Sequence, residues 1–157
     1  HRILIKDEDG SRMSILIQSF GFKYGLPPDS DIVLDVRFIP NPFYKREFRM
    51  LSGLDAEVSQ YVRSFDETVV YMDLQEKILQ HTIPLYRREG KQRLVISVGC
   101  TGGRHRSVAM AADLAARLKP MGFPVILIHR DIDKDPRENR EDGAYETPGR
   151  EIAGNEE

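Results

Sequence analysis

The stretch from residue 94 to residue 128 constrains the fold of this chain more than any other. Arg93–Val98 is an apolar run of strand length, and a turn with two adjacent glycines follows it. Apolar residues at helical spacing then indicate a helix that ends at Pro120, and Pro124–Ile128 is a second strand. A strand–helix–strand unit of this kind places its two strands parallel. The chain is therefore predicted to be an α/β protein.

Three further segments are predicted to be strands. Met13–Phe20 and Asp31–Phe38 are apolar runs, and the nearly unbroken apolar character of the second is typical of a strand buried on both faces. Arg2–Lys6 is joined to Met13–Phe20 by a turn-rich Asp-Glu-Asp-Gly sequence, which predicts an antiparallel hairpin. We therefore expect a mixed sheet with an antiparallel N-terminal hairpin and a C-terminal βαβ unit flanked by helices.

Two more helices are predicted between residues 54 and 90. Apolar residues recur at helical spacing from Leu54 to Phe65. A longer helix follows, with Val70, Leu74 and Ile78 on one face, and it ends where proline and glycine occur between residues 84 and 90. Both helices are expected to flank the sheet.

The length of 157 residues fits one domain with a tail. Residues 131–157 contain ten acidic and four basic residues, whereas the net charge of the whole chain is only −2, so the rest is mildly basic. We predict a folded domain over residues 1–131 and an acidic, disordered tail over residues 132–157. A mildly basic domain favours anionic partners.

The single cysteine excludes an internal disulfide and favours a reducing, cytoplasmic location. The apolar runs are all of strand length, and no signal peptide is recognisable, so neither a membrane nor a secretory route is predicted. The chain does not begin with methionine, which suggests a piece of a longer protein.

A glycine-rich loop after the strand at residues 93–98 is the strongest candidate site. It contains Cys100, Thr101, Gly102, Gly103, Arg104, His105, Arg106 and Ser107. Adjacent glycines bring main-chain N–H groups close to a ligand, and the first amides of the next helix have no partners within it. Together with the helix dipole and two guanidinium groups, these donors suit a phosphate, with no metal ion or cofactor required. The alternative is a purely structural turn, which would more often carry acidic residues at the helix start.

Two other segments carry charges at the predicted ends of strands. Asp35 and Arg37 are two residues apart in an apolar strand, so we expect them on one face, either as a structural ion pair or serving a ligand. His129 and Arg130 follow the last apolar strand. Ligands of α/β sheets bind at the carboxyl ends of the strands, so both segments are expected to converge with the glycine-rich loop.

Four motifs occur together and in order. They are Ser19-Phe-Gly-Phe-Lys-Tyr-Gly-Leu-Pro27, Asp35-Val-Arg-Phe-Ile-Pro-Asn-Pro42, Ser52-Gly-Leu-Asp55 and Gly99-Cys-Thr-Gly-Gly-Arg-His-Arg-Ser-Val108. Over roughly residues 14–131 the chain resembles the C-terminal domain of the RapZ/YvcJ family of bacterial nucleotide-binding proteins. In that family an N-terminal P-loop domain with ATPase and GTPase activity precedes this one, so the chain looks like the C-terminal half alone.

The resemblance implies cytoplasmic regulation linked to amino-sugar and cell-envelope metabolism. Some family members sense glucosamine 6-phosphate through this domain, and some bind small regulatory RNAs and present them to an RNase. By resemblance, the ligand-binding positions are Asp35, Arg37, Asn41, Cys100 through Ser107, His129 and Arg130. We therefore expect a regulatory domain that binds a phosphorylated small molecule, in a protein that forms homo-oligomers.

RNA binding is the first alternative function. Lys23, Lys45, Arg46 and Arg49, with Arg104 and Arg130, are candidates for a basic patch that contacts RNA phosphates. Two departures weaken this interpretation: RNA-binding relatives often have His and Trp where this chain has Phe43 and Tyr44, and their tails are basic whereas this tail is acidic.

A cysteine-dependent phosphatase is the second alternative. Residues 100–107 fit the pattern Cys-x-x-Gly-x-x-Arg-Ser, in which Cys100 would attack phosphorus while Arg106 holds the phosphoryl oxygens. Against it, Gly99 stands where those enzymes have histidine, and Asp35 and Asp131 are candidates for the acid by position alone. No Walker A sequence occurs in the chain, so it is not predicted to hydrolyse nucleotides by the P-loop route.

Overall fold

A computed structural model describes residues 13–134 of the chain. Its sheet has four parallel strands in the order β2-β3-β1-β4. The strands are β1 (Ser14–Gly21), β2 (Ile32–Asp35), β3 (Arg93–Cys100) and β4 (Val125–His129). The helices are α1 (Ala56–Arg63), α2 (Asp66–Arg88) and α3 (Arg106–Leu118). Short 3-10 turns lie at Phe22–Tyr24, Pro42–Tyr44, Arg46–Phe48 and Lys119–Met121.

The core lies between the sheet and α3. The central strands β1 and β3 are buried almost throughout, and α3 packs against both of them and against β4. Helices α1 and α2 pack on α3 and on each other. Ile17, Ile96 and Leu114 are among the fully buried residues of this core. The carboxyl ends of the parallel strands consequently meet at the edge of the sheet where α3 begins.

The βαβ unit predicted from the sequence is confirmed as β3–α3–β4, although β1 lies between its two strands. The described sheet is parallel rather than mixed. Both sides of β1 are hydrogen-bonded to parallel neighbours, which leaves it no free edge for an antiparallel hairpin. The proposed hairpin strand Arg2–Lys6 and residues 135–157 of the proposed tail lie outside the described residues.

Strand β2 is shorter and less buried than its sequence predicts. It ends at Asp35 rather than Phe38, and within the described sheet it is an edge strand that pairs only with β3. Val33 is 39% exposed, so the expectation of burial on both faces is wrong. The apolar run continues past the strand because Val36 and Ile39 belong to the core through the following turn.

Helix α2 has apolar residues on two opposite sides. Its buried side includes Met72, Leu79 and Ile83. The face of Val70, Leu74 and Ile78 that the sequence singles out is exposed instead, so it does not pack against the sheet. Among residues 13–134, none of the helices combines the length and apolar character that crossing a membrane requires.

Candidate functional site

The loop between β3 and α3, residues 100–105 (hereafter the glycine loop), presses against the end of β1. Gly103 has φ +80°, a conformation that L side chains rarely adopt. A Cβ atom at Gly103 would lie 2.5 Å from the amide nitrogen of Gly21, and one at Gly21 would lie 2.5 Å from the carbonyl carbon of Gly102. Glycine at these positions allows two main-chain segments to touch, which fixes where the loop sits.

A buried carboxylate holds this contact from the other side. Asp131 follows β4 and is inaccessible to solvent. Its carboxylate accepts hydrogen bonds from the Gly21 amide at 2.8 Å, from Arg130 at 2.9 Å and from Lys134 at 2.8 Å. Burial by itself raises the pKa of Asp131, but the hydrogen bonds from Arg130 and Lys134 hold it below its ordinary value. Asp131 is therefore a charged structural anchor of this contact.

Cys100 is buried at the start of the glycine loop and organises it. Its sulfur accepts the N–H groups of Gly103 at 3.3 Å and Ser107 at 3.4 Å, and its thiol donates to the Ser107 hydroxyl at 3.2 Å. These contacts curl the loop around the sulfur and join it to the first turn of α3. Ser107 thus contributes through Cys100 and does not line the cavity described next.

A small cavity of about 80 Å³ lies against the glycine loop. The loop and the segment around the Pro42–Tyr44 turn form its walls. Its lining residues are Asn41, Phe43, Tyr44, Cys100, Thr101, Gly102, Gly103, Arg104, His105 and Arg106. Asn41 shapes the second wall, because its side-chain oxygen accepts the Phe43 N–H at 3.0 Å. Sites that enclose whole ligands measure about 300–1,000 Å³, so this cavity suits one end of a ligand.

Arg106 is the unusual member of the cavity lining, because it is buried without an ion-pair partner among residues 13–134. One terminal nitrogen donates to the carbonyls of Arg37 and Ile39, both at 2.9 Å, and the other reaches the Thr101 hydroxyl at 3.4 Å. Its Nε is buried with no hydrogen-bond partner. No carboxylate oxygen of residues 13–134 lies within 4.0 Å of the guanidinium. Burial lowers the pKa of Arg106, and a nearby anion would relieve that cost.

Arg104 and His105 tie the glycine loop to the main chain of residues 48–51 and of Ile132, which follows β4. Arg104 donates to the carbonyls of Met50 at 2.6 Å, Leu51 at 2.9 Å and Ile132 at 2.6 Å. The buried His105 donates from Nε2 to the carbonyl of Phe48 at 2.9 Å. The guanidinium of Arg104 is thus engaged by three carbonyls. In residues 13–134 no carboxylate forms an ion pair with it either, so neither arginine of the cavity lining is in contact with a carboxylate.

Protonation of His105 is expected to destabilise the domain at mildly acidic pH. Burial, followed by the charges of Arg104 and Arg106, lowers its pKa from 6.5 to about 4. Below pH 6.5 residue 105 binds a proton in the unfolded chain, whereas in the folded chain it stays neutral down to about pH 4. The free energy of unfolding is therefore largest above pH 6.5 and decreases as the pH falls toward 4. The loss at pH 5 is about 2 kcal/mol.

Urea unfolding at pH 7 and pH 5 measures this loss. His105→Asn retains a donor for Phe48 and should flatten the pH dependence, while the exposed His81→Asn should leave it unchanged. Part of the slope will persist, because burial also lowers the pKa of His129. If the stability of His105→Asn depends on pH as steeply as that of the wild type, His105 is not the source of the pH dependence.

The two charged segments predicted at the strand ends approach the site without lining it. Asp35 and Arg37 form an ion pair at 2.7 Å, but both side chains are about half exposed and Arg37 lies in a turn beyond β2. The expectation that they share a face of a buried strand is therefore wrong. Hydrogen bonds from Arg37 lower the pKa of Asp35. The link to the site is the Arg37 carbonyl, which accepts from Arg106.

His129 and Arg130 also lie beside the site. Nδ1 of His129 contacts the Ser19 hydroxyl at 2.8 Å, and Arg130 bonds to Asp131 and to the Gly25 carbonyl at 2.7 Å. Neither lines the cavity. The segment after β4 reaches the glycine loop through Asp131, whose carboxylate accepts the Gly21 amide.

The predicted basic residues are distributed over the surface around the second wall. Lys45 lies 5.4 Å from the ring centre of Tyr61, and Arg49 donates to the Phe43 carbonyl at 3.1 Å while its guanidinium lies 5.0 Å from the Phe43 ring. Arg46 is exposed. Lys23 lies against Tyr24 on the 3-10 turn after β1. Within residues 13–134, no group of three or more His, Cys, Asp or Glu side chains is placed to hold a metal ion.

Sequence reasoning missed Phe43 and Tyr44 as cavity residues. Phe43 is buried in the wall, whereas Tyr44 is 62% exposed at the cavity mouth. The signal available was the Pro-Asn-Pro sequence at 40–42, which turns the chain back toward the glycine loop. An exposed aromatic ring at the mouth of a small cavity can stack on the part of a ligand that lies outside it.

Comparison with known proteins agrees with the resemblance in the sequence. A family model described as the RapZ C-terminal domain matches residues 13–133. A nucleotide-binding protein of Clostridium acetobutylicum is 49% identical over an alignment of 134 residues that covers 83% of this chain and 46% of that protein. One of Clostridium botulinum is 51% identical over 130 residues, covering 83% of this chain and 44% of the relative. The chain thus spans less than half the length of these relatives.

Proposed function

Because this chain belongs to the family of RapZ C-terminal domains, we propose that it is the regulatory ligand-binding domain of a RapZ-like nucleotide-binding protein. Its ligand is a phosphorylated small molecule, such as an amino-sugar phosphate, whose phosphate enters the cavity at the glycine loop. The observation that carries this proposal is Arg106, a buried guanidinium with a free Nε and no carboxylate partner among residues 13–134.

An oxyanion in the cavity would complete the bonding of the site. It would accept from the Nε of Arg106 and from the Thr101 hydroxyl, and its charge would compensate Arg106 and Arg104. The amides that begin α3 and the dipole of that helix favour a negative charge at the same place. The rest of the ligand would lie outside the small cavity against Tyr44.

The names of the relatives describe nucleotide binding. We assign that role to the part of those proteins that this chain does not match. The ATPase and GTPase activity that the resemblance implies is assigned there as well, since residues 1–157 contain no Walker A sequence. A cysteine phosphatase has less support, because the sulfur of Cys100 is buried and engaged by Gly103 and Ser107.

Thermal unfolding with and without ligand tests the proposal. Inorganic phosphate and glucosamine 6-phosphate should stabilise the chain, and glucosamine should not. Arg106→Ala should abolish the stabilisation, with a loss of about 1.5–3 kcal/mol of binding free energy. Arg93→Ala is the matched control, because Arg93 begins β3 and lies at the opposite end of the strand.

Thr101→Val provides a second test that leaves the contacts of Arg106 with the Arg37 and Ile39 carbonyls in place. It should weaken phosphate binding without unfolding the chain. Equal stabilisation of the wild type, Arg106→Ala and Thr101→Val by phosphate would place the anion elsewhere and overturn the proposal.

RNA binding is a second candidate, supported by an exposed aromatic ring beside exposed positive charge. Tyr44 adjoins Lys45 and Arg46, an arrangement that can stack a base and contact its phosphate. Substituting alanine at Lys45, Arg46 and Arg49 should weaken RNA binding and flatten its salt dependence by about one unit of slope per phosphate contact. The same variant should still bind glucosamine 6-phosphate; if it loses the ligand while Arg106→Ala keeps it, the two surfaces are assigned wrongly.

A further inference from the structure

A second cavity lies where the end of α1 and the first turns of α2 meet α3. It measures about 220 Å³. Its lining residues are Arg63, Thr68, Val69, Met72, Asp113 and Arg117. We call it the interhelical cavity, and it shares no lining residue with the cavity at the glycine loop. An apolar cavity of about 150 Å³ can bind benzene, so the interhelical cavity has room for a small organic molecule.

Arg117 forms one side of the interhelical cavity and is held by three carboxylates. Its Nε donates to Asp113 at 3.0 Å, and one terminal nitrogen donates to Asp73 at 2.9 Å and to Glu76 at 2.8 Å. Asp73 and Glu76 belong to α2, whereas Asp113 and Arg117 belong to α3. These ion pairs join the two helices, and they leave the other polar groups of the cavity lining unused.

Three polar groups of the lining have bonding capacity to spare. Thr68 is 1% exposed, and its hydroxyl is buried with no hydrogen-bond partner. Within residues 13–134, the second carboxylate oxygen of Asp113 accepts no hydrogen bond. Arg63 uses its Nε to donate to the Ser59 carbonyl at 3.3 Å, and no carboxylate of the described chain pairs with it. An unbonded buried hydroxyl costs free energy, which a ligand that bonds to it removes.

The rest of the lining is apolar. Met72 is buried at 2% exposure in the floor of the cavity, whereas Val69 is 45% exposed. Arg63 is also exposed, so the cavity opens to solvent beside these two residues. The interhelical cavity therefore combines a free cation, a free carboxylate oxygen, a hydroxyl and an apolar surface.

We propose that the interhelical cavity binds a free amino acid with an apolar side chain. The carboxylate of the ligand accepts hydrogen bonds from the guanidinium of Arg63 and from the hydroxyl of Thr68. The ammonium group of the ligand donates to the free oxygen of Asp113. The apolar side chain of the ligand packs on Met72 and Val69.

The charges around the cavity favour a zwitterion over an ion of one sign. A ligand with negative charge alone, such as phosphate, would be repelled by the three carboxylates around Arg117. A ligand with positive charge alone would be repelled by Arg63 and Arg117. An amino acid instead places each of its charges beside a group of opposite sign.

Isothermal titration calorimetry of the 157-residue chain with L-leucine tests the ligand class. L-Leucine should bind. Its analogues 4-methylpentanoate, which lacks the ammonium group, and 3-methylbutylamine, which lacks the carboxylate, should bind at least about tenfold more weakly, because each loses a charged hydrogen bond. Glycine should also bind more weakly, because it has no side chain to bury. Absence of L-leucine binding at millimolar concentrations, or equal affinity for L-leucine and both analogues, would overturn the proposal.

Two variants test the site. Thr68→Val keeps the shape of the side chain and removes the hydroxyl, and Arg63→Ala removes the exposed cation. Each should raise the Kd for L-leucine about tenfold. Thr68→Val should not lower the free energy of unfolding without ligand, because the hydroxyl that it removes has no partner.

Arg88→Ala is the matched control for the charge, since Arg88 is also exposed but lies at the opposite end of α2. It should bind L-leucine like the wild type, and circular dichroism should show all three variants folded. Unchanged affinity in both Thr68→Val and Arg63→Ala, or an equal loss in Arg88→Ala, would show that L-leucine does not occupy the interhelical cavity.

Discussion

Alanine at position 103 is expected to destabilise the domain by about 3 kcal/mol or more. Two effects combine in Gly103→Ala. The backbone at φ +80° disfavours any L side chain by roughly 1–2 kcal/mol, and the new methyl group would lie 2.5 Å from the amide nitrogen of Gly21. That neighbour is main chain and is held by Asp131, so it cannot rotate away.

Gly90→Ala is the matched control for this prediction. Gly90 follows α2 with φ +103°, and a Cβ there has no atom within 4 Å. It should therefore show the backbone cost alone, about 1–2 kcal/mol. Urea unfolding followed by circular dichroism measures both variants. Equal losses would mean that the glycine loop does not press on β1 as described.

Loss of the Asp131 carboxylate is expected to cost about 2–3 kcal/mol of unfolding free energy, mainly because the buried amide of Gly21 loses its charged acceptor. Asp131→Ala removes a buried charge that neutralises Arg130 and Lys134 and satisfies the amide of Gly21. Since its pKa is lowered in the folded chain, this contribution is present at neutral pH and is lost as the pH falls through the folded-state pKa.

The neighbouring Asp133 provides the control. Asp133 is exposed, and Asp133→Ala should change stability by less than about 0.5 kcal/mol. Asp131→Asn should fall between the two, because an amide oxygen can still accept from Gly21 but carries no charge. Chemical denaturation at pH 7 measures the loss of stability in each variant. The loss should be largest in Asp131→Ala, intermediate in Asp131→Asn and smallest in Asp133→Ala. A loss in Asp131→Ala no larger than in Asp133→Ala would show that Asp131 does not anchor the loop.

Local features of this fold were predictable from the sequence. The β3–α3–β4 unit and its glycine loop follow from periodicity, from paired glycines and from the basic helix start. The position of β1 between β3 and β4 was not predictable in the same way, because strand order depends on contacts between residues far apart in the chain. The hairpin expected for Arg2–Lys6 assumed that β1 had a free edge.

Helix α2 shows a second limit of sequence reasoning. Both of its sides carry apolar residues, so periodicity identifies two faces and cannot say which one meets the core. The two arginines that line the cavity show a third limit. Arg104 and Arg106 are the same residue type two positions apart, yet only Arg106 has a buried nitrogen without a partner. Such differences arise from packing, which a motif does not contain.

The anchorage of residues 48–51 has an evolutionary consequence. Arg104 and His105 hold this segment by hydrogen bonds to the main-chain carbonyls of Phe48, Met50 and Leu51. Every residue type has this carbonyl, so the hydrogen bonds do not require particular side chains in the segment. A substitution at the exposed Met50 therefore leaves this anchorage in place, because the carbonyl that accepts from Arg104 is unchanged. Tyr44 at the cavity mouth is also exposed. Exchange of exposed side chains such as these can change the surface around the cavity while the main-chain contacts of the glycine loop stay intact.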